Sequence, residues 1–247
     1  MQIWTSKNYH RNDKIYRGCF NYYRNENLYA EENFDVYRDR KEQTFHYISE
    51  CIVRVSTGET LNIHVEYIIN KESVPLYVFV EKIMGKEHSK EIYDFNIKRS
   101  ILTYKFSSTH SEEVLEEIMT PPKFHIATPT AATAGLFIRT KKFDASGKNI
   151  YTVMVCNNNW EFVAAPHFSN PIVERIGLAN EKITIDSQNV LATPFKMYDE
   201  ATDFKVVKDP AHIRIHLSPH GGIPYTIRTD DGTKIQIKYL NDLSEKE

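Results

Sequence analysis

Apolar side chains recur at every second position along most of this 247-residue chain. A strand sends alternate side chains to opposite faces, so a sustained period of two commits a segment to a half-buried sheet. Over residues 44–55 the positions Phe45, Tyr47, Cys51, Val53 and Val55 are apolar, while His46, Glu50 and Arg54 fall on the other face. A Ser56-Thr57-Gly58-Glu59 turn follows. Leu61, Ile63, Val65, Tyr67 and Ile69 then alternate with Asn62, His64, Glu66 and Asn70, which completes a hairpin. Residues 76–84, 91–98 and 101–106 continue the pattern, and their Tyr77, Phe79, Tyr93, Phe95, Tyr104 and Phe106 suit a pleated surface.

The alternation breaks in mid-chain. Ser107-Ser108-Thr109 with Glu112 reads as a capping box, and Glu112, Glu113, Glu116 and Glu117 around Val114, Leu115, Ile118 and Met119 predict a short helix stopped by Pro121-Pro122. Thr128 as N-cap and Pro129 at the first helical position predict a second, over residues 128–137. Strands resume over residues 149–156, 160–165, 182–186 and 190–198. Three more close the chain: Ile213, Ile215 and Leu217 alternate with His212, Arg214 and His216; Ile223, Tyr225 and Ile227 follow; Asp230-Asp231-Gly232 turns into Ile235, Ile237 and Tyr239. The charged tail after Leu243 is expected to fray.

About ten or more antiparallel strands must curl to hide an apolar face. The expected fold is therefore mainly β: a strongly curved open barrel with two short helices inserted over residues 109–138, a core over 28–243, and one domain spanning 1–247. A chain of this length buries enough surface to fold without a disulfide or metal staple. Cys19, Cys51 and Cys156 are far apart and odd in number, which reads as reduced thiols. With 31 basic against 33 acidic residues and no basic run, nucleic acid is not expected as a partner. No window approaches the ~20 apolar residues that span a bilayer. Residues 1–10 lack a signal-peptide pattern, so the chain as given reads as cytoplasmic, or as periplasmic where a leader has been removed.

Thr128-Pro129-Thr130, Asp144-Ala145-Ser146-Gly147 and the run from Val190 through Thr193-Pro194-Phe195 to Met197 resemble, in architecture and spacing, the open-barrel superfamily typified by the bacterial lipoprotein carriers LolA and LolB. The closing Ile213 to Leu217, Gly222-Ile223-Pro224-Tyr225 and Asp231-Gly232-Thr233-Lys234-Ile235 are similar to the last three strands of its uncharacterised relatives. The resemblance implies a half-wrapped barrel, covered by short helices, that shelters an acyl chain or similar apolar ligand. It supplies no motif by which binding residues can be carried over.

Residue chemistry supplies the candidates. An HxxxH pair, His212 and His216, would share a helix face, but on a strand four residues span about 13 Å, too far for one zinc ion. The pair reads as solvated. His64 and Glu66 share a strand face, and hairpin closure brings Glu50 near; the choice is between a general acid/base and the exposed face of an edge hairpin. His125, Thr128, Thr130 and Thr133 lie where the insert covers the barrel mouth, either presenting polar groups to a ligand head or capping the helix. No GxSxG, P-loop, GxGxxG or HExxH occurs. No cofactor is expected.

Three functions follow from the fold. The first is non-enzymatic binding or carriage of a hydrophobic small molecule or lipid, lined by Phe45, Tyr47, Ile63, Val65, Tyr67, Val78, Val80, Ile213, Ile215, Ile235 and Ile237, with His125, Thr128 and Thr130 at the rim. The second is a hydrolase or isomerase using His125 or His64 in the same cavity. The third is an interaction subunit with a packed interior that binds a protein partner by strand addition. A cavity of ~300 Å³ or more beneath residues 121–138 would favour the first.

Overall fold

Alternation over the first half of the chain becomes one continuous meander. A computed structural model describes residues 13–143, 147–157, 159–177, 179–199, 212–220 and 222–244. Residues 1–10, Asp144 to Ser146 of the stretch that carries the resemblance, Asn158 and Gly221 of two expected turns, and the last three residues of the tail lie outside them. The meander comprises β1 (Lys14–Arg24), β2 (Asn27–Asp39), β3 (Thr44–Arg54), β4 (Thr60–Asn70), β5 (Pro75–Met84), β6 (Glu87–Asn96), β7 (Ile101–Ser108) and β8 (Ser111–Met119). β9 (His125–Ala127) and two 3-10 turns, Ala131–Thr133 and Leu136–Thr140, form the insert. Then come β10 (Lys148–Ile150), β11 (Val153–Val155), β12 (Phe168–Ser169), β13 (Pro171–Arg175), β14 (Glu181–Ile185), β15 (Gln188–Asp199), β16 (Ile213–Leu217), β17 (Pro224–Thr229) and β18 (Thr233–Asp242).

Fifteen strands make one antiparallel sheet, in the order β10-β13-β15-β16-β17-β18-β1-β2-β3-β4-β5-β6-β7-β8, with β14 paired to β15 beside that path. The sheet is barrel-like but not closed, because its ends, β8 and β10, do not pair with each other. β9, β11 and β12 form a separate three-stranded sheet in which β9 and β11 run parallel. The chain's two halves join where β1 pairs with β18, Phe20 opposite Ile237. The sheet thus begins at Lys14, earlier than residue 28.

Two helices were expected; only the second region is helical, as the pair of 3-10 turns. The segment read as the first helix is β8. Its Val114 and Ile118 lie opposite Phe106 and Leu102 of β7, whose backbone offers a full ladder of hydrogen bonds. The i, i+4 spacing of these two residues fits a helix face, and its even parity also fits one face of a strand, so periodicity alone does not decide. Residues 149–156 split into β10 and β11, and 160–165 form no strand.

One inward row runs across seven strands: Tyr16, Val36, Tyr47, Tyr67, Val78, Tyr93 and Tyr104 are successive cross-strand partners. The insert lies in the trough so formed. Its Phe124, Ile126, Ala131, Ala132, Leu136, Phe137 and Ile138 are buried in the same core as Tyr67, Val78, Tyr93 and, from the far wall, Ile215 and Ile237. Much of the interior is therefore filled by the chain itself.

Candidate ligand-binding cleft

Filling stops at one end of the trough. There a cleft of about 510 Å³ is walled by Ile15, Tyr16, Phe45, Tyr47, Ile69 and Leu136. Lys14, Arg38, Arg40, Arg139 and Asp13 also line it. Arg38 arrives there by strand parity. Ala30, Glu32, Phe34 and Val36 of β2 are buried on the inner face, and Arg38 is the next residue of that set, opposite Phe45. Its aliphatic stem can lie along apolar wall while the guanidinium stays at the mouth. Lys14 Nζ is 2.7 Å from Asp35 Oδ2. Arg139 follows the buried Leu136-Phe137-Ile138; its Nη1 donates to the Pro219 carbonyl at 2.9 Å and its Nη2 to the Ser218 carbonyl. Burial lowers its pKa against the pull of Tyr16 and Tyr47, yet a guanidinium remains charged at any physiological pH.

The insert is held by a buried carboxylate. Glu32 accepts hydrogen bonds from Ala131 N at 2.7 Å, Ala132 N at 3.1 Å and the Tyr22 hydroxyl, at the start of the first 3-10 turn. Burial raises the Glu32 pKa, and those hydrogen bonds pull the other way. A second carboxylate, Glu91, holds the other end of the trough: it accepts from Tyr93 Oη at 2.6 Å and Asn157 N at 2.9 Å, while Lys82 donates to the Asn157 carbonyl at 2.6 Å. Both acids lie at inward strand positions. Alternation predicts apolar residues at such positions, so neither acid was among the candidates.

The expected liners divide. Phe45 and Tyr47 reach the cleft. Ile63, Val65, Tyr67, Val78 and Val80 are buried within the core, as are Ile215 and Ile237, whereas Ile213 and Ile235 are partly buried against it. Thr128 bonds Thr130 at 3.1 Å and Thr133 at 2.9 Å, so these hydroxyls serve one another. His125 is buried and stacks on Tyr67, whose hydroxyl lies 2.9 Å from Nδ1 and accepts from Ile126 N at 3.1 Å. Burial pushes the His125 pKa down to about 3.

His64 lies on the other face of the sheet, in a shallow depression with Glu50, Asn62, Glu81 and Ile83. The register places it opposite Glu50, with Nδ1 to Oε1 at 2.5 Å, and Glu66 approaches Nε2 at 3.4 Å. Its strands are interior to the sheet, not an edge hairpin. His216, read as solvated, is 8% exposed, its Nδ1 2.8 Å from Thr226 Oγ1 and its Nε2 2.9 Å from Glu181. The outer face of β16 is therefore covered at His216, whereas Arg214 on the same face is exposed. Among the described residues no group of three His, Cys, Asp or Glu side chains is placed to hold a metal ion, and no helix is long and apolar enough to cross a membrane.

The cleft-lining residues missed by the sequence reading include Ile15, Tyr16, Arg38, Arg40, Ile69, Leu136 and Arg139. The parity of β2 was the available signal for Arg38; nothing local marks Arg139, because residues distant in the chain bring it to the cleft.

No family model matches this sequence, and no curated protein matches it either. Among solved structures the chain is similar to a β-barrel-like protein of the domain of unknown function DUF1849 from Brucella abortus, with a TM-score of 0.56 and 9% identity, over 92% of this chain and 97% of that one. At that identity the likeness concerns the fold alone, and the fold is β-barrel-like.

Proposed function

We propose that this chain binds a hydrophobic small molecule or acyl chain without chemical conversion, as carriers of the LolA and LolB type do. The observation that carries the reading is the cleft of about 510 Å³, within the range of small-molecule sites and walled by Tyr16, Phe45, Tyr47, Ile69 and Leu136. It lies beside the insert, at its Leu136 and Arg139. The acid/base alternative has less support: neither His125 nor His64 lines this cleft, and a histidine with its pKa near 3 is a poor base at neutral pH.

Native mass spectrometry of protein purified from its own host, with displacement of a neutral fluorescent naphthylamine, tests the reading. A bound small molecule, and probe displacement lost in Phe45→Asp, is the expected result. An empty protein that binds no apolar probe would leave the packed interaction subunit as the better account.

A further inference from the structure

We infer that Leu136 is the depth stop of the cleft: an apolar chain enters tail first along the strand direction, and the length that fits is set by where it meets this side chain. This rests on the binding function proposed above. It adds the residue that selects the ligand and the class selected, a single hydrocarbon chain of limited length whose polar end stays at the mouth. Cross-strand rows carry the inference. Inward residues two apart on a strand define rows roughly 7 Å apart. Arg38, Phe45 and Ile69 make the first row, and all three line the cleft. In the second row Tyr16 and Tyr47 line it, whereas their partners Val36 and Tyr67 are fully buried and do not. The third row is sealed: Ser49 is buried, and the Phe34 ring lies over Gly18, where a Cβ would come within 2.4 Å of it. The hollow therefore ends within the second row.

The insert is what ends it. Its Ala131 and Ala132 amides reach Glu32, which belongs to the fourth row with Phe20 and Cys51. From that depth the chain returns toward the mouth, and Leu136 is its first residue to line the cleft. Backbone holds the turn from behind. A Cβ at Gly135 would lie 2.3 Å from the Gly222 carbonyl oxygen, and one at Gly222 would lie 3.3 Å from Leu136 Cα. Arg139 ties the same turn to the carbonyls of Pro219 and Ser218. A close-packed wall of this kind does not yield to a longer chain, so the excess length is left in water.

The test uses straight-chain primary alcohols of six to twelve carbons, within their solubility, to displace the neutral naphthylamine. Affinity is expected to rise about fourfold with each CH₂ that gains apolar wall, and to level off at the length that reaches Leu136. Leu136→Ala removes the isopropyl end and is expected to move this break to chains about two carbons longer. Leu136→Val, a smaller loss of packing, is expected to move it by about one carbon and serves where circular dichroism shows the alanine variant unfolded. Ile69→Val, on the side wall, is expected to weaken all chains alike and leave the break in place. A break that neither Leu136 variant moves to longer chains, one that Ile69→Val moves equally, or affinity still rising at twelve carbons in the unaltered protein would overturn the depth stop while leaving apolar binding intact. Failure of every alcohol to displace the probe would remove both.

Discussion

Single residues decide whether the insert stays in the trough. Glu32 accepts from two backbone N–H groups and one phenol in a site closed to water; Ala131 N also reaches the Tyr22 hydroxyl oxygen at 3.0 Å, so Glu32→Ala strands two donors, Ala132 N and the Tyr22 hydroxyl. Each buried donor left unpaired costs about 1–3 kcal/mol, and urea unfolding is expected to show a loss on the order of 3 kcal/mol or more. The outward face behaves differently. Hydrogen bonds to Glu50, then Glu66, raise the His64 pKa from 6.5 to about 9; that contribution is complete below pH 6.5 and is lost as pH rises through about 9. Hydrogen bonds from His46, then His64, lower the Glu66 pKa from 4.5 to about 2, so its contribution holds above pH 4.5 and is lost as pH falls through about 2. The pair therefore stabilises most between pH 4.5 and 6.5, and Glu50→Gln is expected to flatten the decline between pH 6.5 and 9 in urea titrations. The His64–Glu50 pair was legible because a hairpin register fixes which residues face each other. Burial of His125 and His216 was not, because elements from elsewhere in the chain cover them.

At the scale of elements, β8 shows how an edge strand is kept from pairing. Among the described residues it has a neighbour on one side only, and Leu115 and Met119 are 59% and 80% exposed on its outer face. Glu113 and Glu117 share that face, and charge on an exposed edge opposes addition of another strand. Glu113→Val with Glu117→Val is expected to give concentration-dependent self-association, seen by light scattering, with no loss of strand signal. A monomeric double variant would show that something other than charge guards the edge. The same glutamates imitate a capped helix in the sequence. A helix this short is marginal in water, whereas β7 supplies backbone partners along the whole segment, so tertiary pairing overrides the local pattern.

At the scale of the whole molecule, the seam between β1 and β18 makes one sheet of two meanders that the insert separates in the chain. Ile237, 1% exposed and opposite Phe20, sits on that seam. Ile237→Asp places a carboxylate in the core at a cost of about 3–4 kcal/mol, and both halves are expected to lose strand signal in one transition of circular dichroism. Separate transitions would mean that the halves hold their structure independently. Alternation alone settled that residues 44–106 form antiparallel strands and that Tyr47, Ile63, Val65, Tyr67, Val78 and Val80 face inward, because parity and turn chemistry are local properties. It also placed Phe45 and Tyr47 on the face that lines the cleft. How far the trough is filled, and which cations gather at its mouth, depended on where the insert comes to rest. That position is fixed by Glu32 from β2 and by the carbonyls of Ser218 and Pro219, contacts between segments about 80 to 100 residues apart, which no local pattern encodes.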